Sequence, residues 1–338
     1  MLRKCLLLVK KRIFKWHSCV ISIAKWYKIP TMQKLKIAFA GTPKFAIPSL
    51  RNLIQDEGIE ISAVYTQPDK AAGRGKILTP PPVKTFALES GLKVSQTSKL
   101  TEADLEGLDF FVVVAYGKIL PKEILEIPKF GCVNLHASLL PKFRGASPIQ
   151  SAILADEQKT GVTFMQIGEQ LDAGAAFAKF EISIAQKNAL ELSAELAELG
   201  GKELPEILRK IASEEISPVK QDESKATFCR KIQKSDGEIS WEKDSTKTLL
   251  LKLQAFAGWP NLWTKFGGKT LKLISFVAWQ PSAENLKNGE VFEQDGKIGV
   301  KTSDGAIELK KIQLEGKNEM SVGDFVRGNR DFVGAKLG

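Results

Sequence analysis

Between Leu35 and Ile184 the chain repeats one pattern, a short apolar run followed by a stretch with helical spacing. The clearest run is DFFVVVAYG (109–117), whose β-branched and aromatic centre offers no polar face, as in a parallel strand covered on both sides. LKIAFAG (35–41), EISAVYT (60–66), GCVNLHA (131–137), GVTFMQIG (161–168) and AAFAKFEISI (175–184) read as its companions. Helical stretches separate them: Pro43 to Ile54 with proline in its first turn, PVKTFALESG (82–91), and the residues after Arg144. Strands alternating with helices predict an α/β fold with a doubly wound, mostly parallel sheet.

A long helical pattern, rich in Ala, Leu and Glu, follows over 187–213. The polar stretch SPVKQDESKAT (217–227) has no periodicity and is the natural linker. Beyond Phe228 the character changes to short strand-like pieces, among them TLKLISFVAW, GEVFEQDG, KIGVKTSDG and AIELKKIQL, separated by Gly, Asp and Asn turns. That spacing predicts a small OB-like β-barrel. With 338 residues the chain exceeds what one core usually holds. The expected organisation is a basic extension over 1–31, an α/β domain over 32–216, a linker over 217–229 and a barrel over 230–338.

The net charge of +10 points to nucleic acid until it is located: residues 1–31 carry eight Lys or Arg and no acid, leaving +2 for the rest. CLLLV and CVISIA in that segment are too short for a signal-peptide core, and Met32 stands three residues before the first strand. Translation is therefore expected to begin at Met32 or the segment 1–31 to be a disordered tail, with a membrane-surface helix as the alternative. No apolar run approaches the roughly 18 to 20 residues that span a bilayer. Cys5, Cys19, Cys132 and Cys229 lie far apart without metal spacing, which predicts no metal site and a cytoplasmic location.

His136 is one of only two histidines, and the other, His17, lies in the basic extension. A lone histidine on a strand is more often structural than catalytic. Its neighbours change the weighing. Asn134 is two residues away, so both side chains share one face near the strand's C-terminal end, where open α/β sheets bind ligands. Two polar side chains interrupting an apolar strand are a local inconsistency of the kind found at functional sites. Asp172, in the turn EQLDAG after another strand, could reach the imidazole; from local sequence alone it reads more readily as a turn cap.

FAGTPKFA (39–46), TQPDKAAGRGK (66–76), NLHASLLPKFRGASPIQ (134–150), GVTFMQIGEQLDAG (161–174), GWPNLWT (258–264) and MSVGDFVRG (320–328) together resemble the folate-dependent formyltransferases. The GRGK loop and the C-terminal barrel make the chain most similar to those acting on methionyl-tRNA. The likeness runs from about Lys36 to the C-terminus; one departure is Ala173, Gly174 and Ala175 after Asp172, where Thr-Gly-Asp is frequent. The resemblance implies a catalytic set of Asn134, His136 and Asp172, and a folate site lined by Ser138, Leu139, Leu140 and Pro141. It also implies 10-formyltetrahydrofolate as co-substrate and methionyl initiator tRNA as partner, served by a monomer.

The chemistry fits those residue types. An amine attacking a formyl carbon makes an oxyanion, and Asn134 and His136 are suitable donors to it, worth roughly 3 kcal/mol each. Asp172 would orient His136 and help a water move the proton. Cys132 shares the face of Asn134 but reads as a small buried hydrophobe. In the loop Thr66–Lys84, Lys70, Arg74, Lys76 and Lys84 stand against Asp69 alone, and Lys70, Arg74 and Lys76 become tRNA-contact candidates. The C-terminal part adds 18 basic against 14 acidic side chains. Phe45 is a candidate for the methionine pocket. A nucleotide-binding reading of G-T-P-K-F fails for want of glycines. Formyl transfer to a small amine or to water would use the same triad.

Overall fold

The computed structural model describes residues 34–338 except 73, 74, 76, 98, 283 and 284. The extension 1–31, with Cys5, His17 and Cys19, lies outside these residues, as do Arg74 and Lys76. The strands of the first domain are β1 (Leu35–Gly41), β2 (Ile59–Tyr65), β3 (Lys70–Ala72), β4 (Ile77–Thr79), β5 (Val94–Ser95), β6 (Phe110–Val114), β7 (Cys132–His136), β8 (Arg144–Gly145), β9 (Lys159–Gln166) and β10 (Ala176–Ser183). Its helices are α1 (Ile47–Gln55), α2 (Pro82–Glu89), α3 (Lys122–Leu125), α4 (Pro148–Leu154) and α5 (Ala189–Ala212). One sheet runs β5–β2–β1–β6–β7–β9–β10, parallel up to β7 and antiparallel beyond it.

The alternation of side chains along each strand builds two cores. Phe39, Val112, Val133 and Leu135 join Leu50 and Leu53 of α1 and Leu192 and Leu196 of α5 on one face. Ala38, Phe111, Val113 and Cys132 face the other way, under Leu105, Ile124 and Leu125. Each fully buried side chain of this size contributes roughly 1.5–3 kcal/mol, so slipping β7 by one residue would expel Val133 and Leu135 and bury Asn134 and His136. The second core reaches Cys132 on β7, and Asn134 and His136 lie beyond it towards the C-terminal edge of the sheet. Chain order reverses between β1 and β6, beside β7, which is the kind of switch point where open α/β sheets bind ligands.

The segment 217–229 carries β11 (Phe228–Cys229), and the second domain carries α6 (Thr246–Ala255), β12 (Leu262–Phe266), β13 (Lys269–Trp279), β14 (Val291–Gln294), β15 (Lys297–Lys301), β16 (Ala306–Leu314), β17 (Met320–Ser321) and α7 (Val322–Gly328). Its antiparallel sheet runs β12–β13–β16–β15–β14, with β17 on β16. The last residues span the two edges. Gly334 N donates to Val291 O (2.7 Å) on β14, and Gly338 N donates to Lys265 O (3.2 Å) on β12. Those bonds occupy edge positions that an open sheet would leave unpaired.

The segment 217–229 is bonded to the first domain. Val219 exchanges two 2.8 Å backbone bonds with Ala176, and β11 pairs in parallel with β8. Helix α4 packs against α6 across the same junction. Among the described residues no helix is long and apolar enough to cross a membrane.

Candidate active site

Asn134 and His136 project from the end of β7, and Asp172 reaches them from the turn after β9. His136 is almost buried, at 7% exposure. Its Nε2 lies 3.0 Å from Phe143 O, and since a carbonyl only accepts, Nε2 carries a hydrogen. Its Nδ1 faces Asp172 Oδ2 at 3.7 Å, an ion-pair distance rather than a hydrogen bond. The imidazole is thus held between two acceptors. Asn134 is half-buried, and its side-chain amide forms no hydrogen bond among the described residues. An unspent amide thus stands two residues along the strand from a fixed imidazole.

Asp172 is fixed more firmly than a turn cap requires. Its backbone is in the left-handed region (φ 50°), its Oδ2 accepts from Gly145 N at 2.8 Å, and its carbonyl accepts from Gln221 Nε2 at 2.9 Å. Two glycines make this possible. A Cβ on Gly145 (φ 121°) would lie 2.1 Å from Cys229 O, and one on Gly174 would lie 1.8 Å from Gln166 O. Both contacts are closer than any side chain tolerates, so the chain can pass Asp172 on both flanks only with glycine there. Arg144 completes the support. It is 2% exposed, donates from Nε and Nη2 to Gln221 Oε1 (3.1 and 2.9 Å) and holds Glu223 through two further bonds of 2.9 and 2.8 Å.

The chain matches the formyl transferase family model over residues 35–208 and the model of its C-terminal domain over 231–330. It is 45% identical over 304 residues to methionyl-tRNA formyltransferase of Caldicellulosiruptor saccharolyticus, covering 87% of this chain and 97% of that one. It belongs to the methionyl-tRNA formyltransferase family. The relative from Methylococcus capsulatus is 42% identical over 311 residues, covering 90% of this chain and all of its own. Among solved structures, HypX from Aquifex aeolicus in complex with tetrahydrofolic acid shares the fold, with a TM-score of 0.59 at 19% identity over 89% of this chain and 48% of that one.

The residues expected to hold folate in a formyltransferase of this family do not form one open face. Ser138 is fully buried and its hydroxyl donates to Lys142 O (2.6 Å), while Leu140 N donates to Thr163 Oγ1 (3.1 Å) and Leu140 O accepts from Lys179 Nζ. Leu139 packs over Gly161, and only Leu139 and Pro141 of the four are partly exposed. A cavity of about 280 Å³ lies instead against the Asp172 turn, lined by Leu125, Gln166, Ile167, Gly168 and Gly174 with Lys122, Glu126 and Glu169. Lys122 and Glu169 pair at 2.6 Å. None of Ser138 to Pro141 lines it.

Lys70 is exposed on β3, at the base of the hairpin that β3 forms with β4. Lys84 is not available to a partner in the same way: its ammonium bonds both oxygens of Asp69 (2.8 Å each) and Gln96 (2.7 Å). Lys84 and Asp69 cancel, so the charge of this loop rests on Lys70 with Arg74 and Lys76, the last two outside the described residues. Phe45 packs against the core. Cys132 is 1% exposed, and burial pushes its thiol pKa up to about 12, which removes it as a nucleophile. Burial raises the Cys229 thiol as well. Among the described residues no group of three or more His, Cys, Asp or Glu side chains is placed to hold a metal ion. Sequence reasoning missed Arg144, Gln221 and Thr163; no periodicity marks any of them, and the only local hint is an arginine beside glycine in the KFRG turn.

Proposed function

We propose that Asn134, His136 and Asp172 carry the transfer of the formyl group of 10-formyltetrahydrofolate to the amine of methionyl initiator tRNA. The observation that carries this reading is the unspent Asn134 amide next to a histidine held between Phe143 O and Asp172. As the amine attacks the formyl carbon, negative charge grows on the formyl oxygen, and Asn134 donates to it. His136 adds a second donor by turning its Nε2–H from Phe143 O to that oxygen. Phe143 O keeps a partner when it does so, because Cys229 Sγ also donates to it at 3.4 Å. Asp172 holds the imidazole in place and helps a water carry the proton from the attacking amine to the folate nitrogen, whose bond to the formyl carbon breaks as the oxyanion collapses. No covalent enzyme intermediate is needed, since the attacking amine is itself the nucleophile.

The folate lies along the Ser138–Pro141 loop, shaped by its backbone and by Leu139 and Pro141. The cavity lined by Gly168 and Gly174 offers its flat ring system an apolar floor from Leu125 and Ile167 and a polar edge from Gln166. Lys70, Arg74 and Lys76 meet the phosphates of the tRNA acceptor end. The enzyme works as a cytoplasmic monomer. The test is Asn134→Asp, which keeps the shape and replaces a donor by an acceptor. Its single-turnover rate should fall about 100- to 1000-fold with the unfolding midpoint nearly unchanged. A rate within about threefold of wild type would remove Asn134 from the mechanism.

A further inference from the structure

Gln221 belongs to the segment joining the two domains, yet it is only 6% exposed and every polar atom of its side chain is used. Its Nε2 donates to Asp172 O (2.9 Å) and Gly174 O (2.7 Å), and its Oε1 accepts from Nε and Nη2 of Arg144 (3.1 and 2.9 Å). The amide can be placed only one way round, because two carbonyls demand donors on one side and a guanidinium demands an acceptor on the other. Arg144 is in turn anchored by Glu223 of the same segment. The pairing of β11 with β8 sets Gly145, whose N–H holds Asp172 Oδ2. Asp172 is thus gripped at its carbonyl by Gln221 and at its carboxylate by Gly145, and both grips originate in residues 221–229.

We infer that Gln221 is a positioning residue for Asp172, so that the segment between the domains completes the active site of the first. The inference rests on the reading of Asp172 as a member of the catalytic set. A left-handed aspartate two residues before a glycine has alternative backbone states. Two hydrogen bonds from a buried amide select one of them, the one that turns the carboxylate towards His136.

Gln221→Glu separates this role from simple anchoring. The carboxylate keeps both bonds from Arg144 but sets an acceptor against the carbonyls of Asp172 and Gly174. Single-turnover rate constants with enzyme in excess, for wild type, Gln221→Glu, Asp172→Asn and the double variant, form a cycle. At saturating enzyme such a rate constant does not depend on the fraction of enzyme that is folded, so partial unfolding does not imitate the effect. Gln221→Glu should slow transfer about 10- to 100-fold, and it should cost nothing further once Asp172→Asn is present. A Gln221→Glu rate equal to wild type, or a double variant slowed by the product of the two effects, would overturn the inference. Full activity of Asp172→Asn would instead defeat the catalytic reading of Asp172 beneath it, and does so without reference to Gln221.

Discussion

Strand β7 carries His136 and the segment 217–229 bonds Asp172, and the two differ in how they hold their side chains. Strand β7 is fixed by apolar burial: Val133 and Leu135 anchor one face, and Asn134 and His136 are carried on the other by the alternation of the strand. The segment 217–229 buries little apolar surface and is fixed by hydrogen bonds, with Arg144, Gln221, Glu223 and the β8–β11 pairing as its holding points. A side chain on a packed strand can be left without an internal partner, which frees Asn134 for chemistry. A segment held by polar bonds needs all of them, because a buried group left unpaired costs about 1–3 kcal/mol. The side chain left without a partner therefore stands on the strand, and a buried side chain that holds the Asp172 turn stands on the connector.

Substitutions should separate the two regions by what they damage. The largest effect on rate is expected from His136→Ala, a loss of about 1000-fold in single-turnover formylation, with thermal unfolding moving by only a few degrees. Next comes Arg144→Met, which leaves Gln221 Oε1 buried without a donor and releases Glu223. It should cost about 3 kcal/mol of stability in urea unfolding, and an unchanged midpoint would show the connector to be held by something else. Arg74→Ala tests the basic loop instead. It should raise the KM for tRNA about fivefold and lower the salt dependence of tRNA binding by roughly one charge, leaving folate affinity alone. The smallest effect concerns pH. Arg144 holds the Glu223 carboxyl below its ordinary value, so this pair stabilises the fold at neutral pH and loses its effect as acid takes Glu223 through that lowered value. The difference in unfolding midpoint between wild type and Glu223→Gln should accordingly shrink on acidification.

Much of this was legible in the sequence, for physical reasons that differ from element to element. DFFVVVAYG and GCVNLHA declared buried strands because both of their faces are covered, and the polar Asn134 and His136 stood out against that background. Val94–Ser95 was not legible as a strand, since two residues carry no period, although it forms an edge of the sheet. The hairpin of β3 and β4 was hidden by the glycines of its own loop. The role of 217–227 was hidden for another reason. Gln221 meets Arg144, Asp172 and Gly174 at separations of 77, 49 and 47 residues, and a polar stretch that folds onto distant polar partners looks the same in sequence as one left in water. The closure of the second sheet by Gly334 and Gly338 is invisible likewise, because it is made by backbone atoms alone.

The measurement that tests the account most directly is formyl transfer from 10-formyltetrahydrofolate with methionyl initiator tRNA, methionyl elongator tRNA, glycinamide ribonucleotide and water offered in parallel. The account predicts formylation of the initiator tRNA, slow or absent transfer to the elongator, and no transfer to glycinamide ribonucleotide or water. Transfer to a small amine or to water in preference to the tRNA would contradict it.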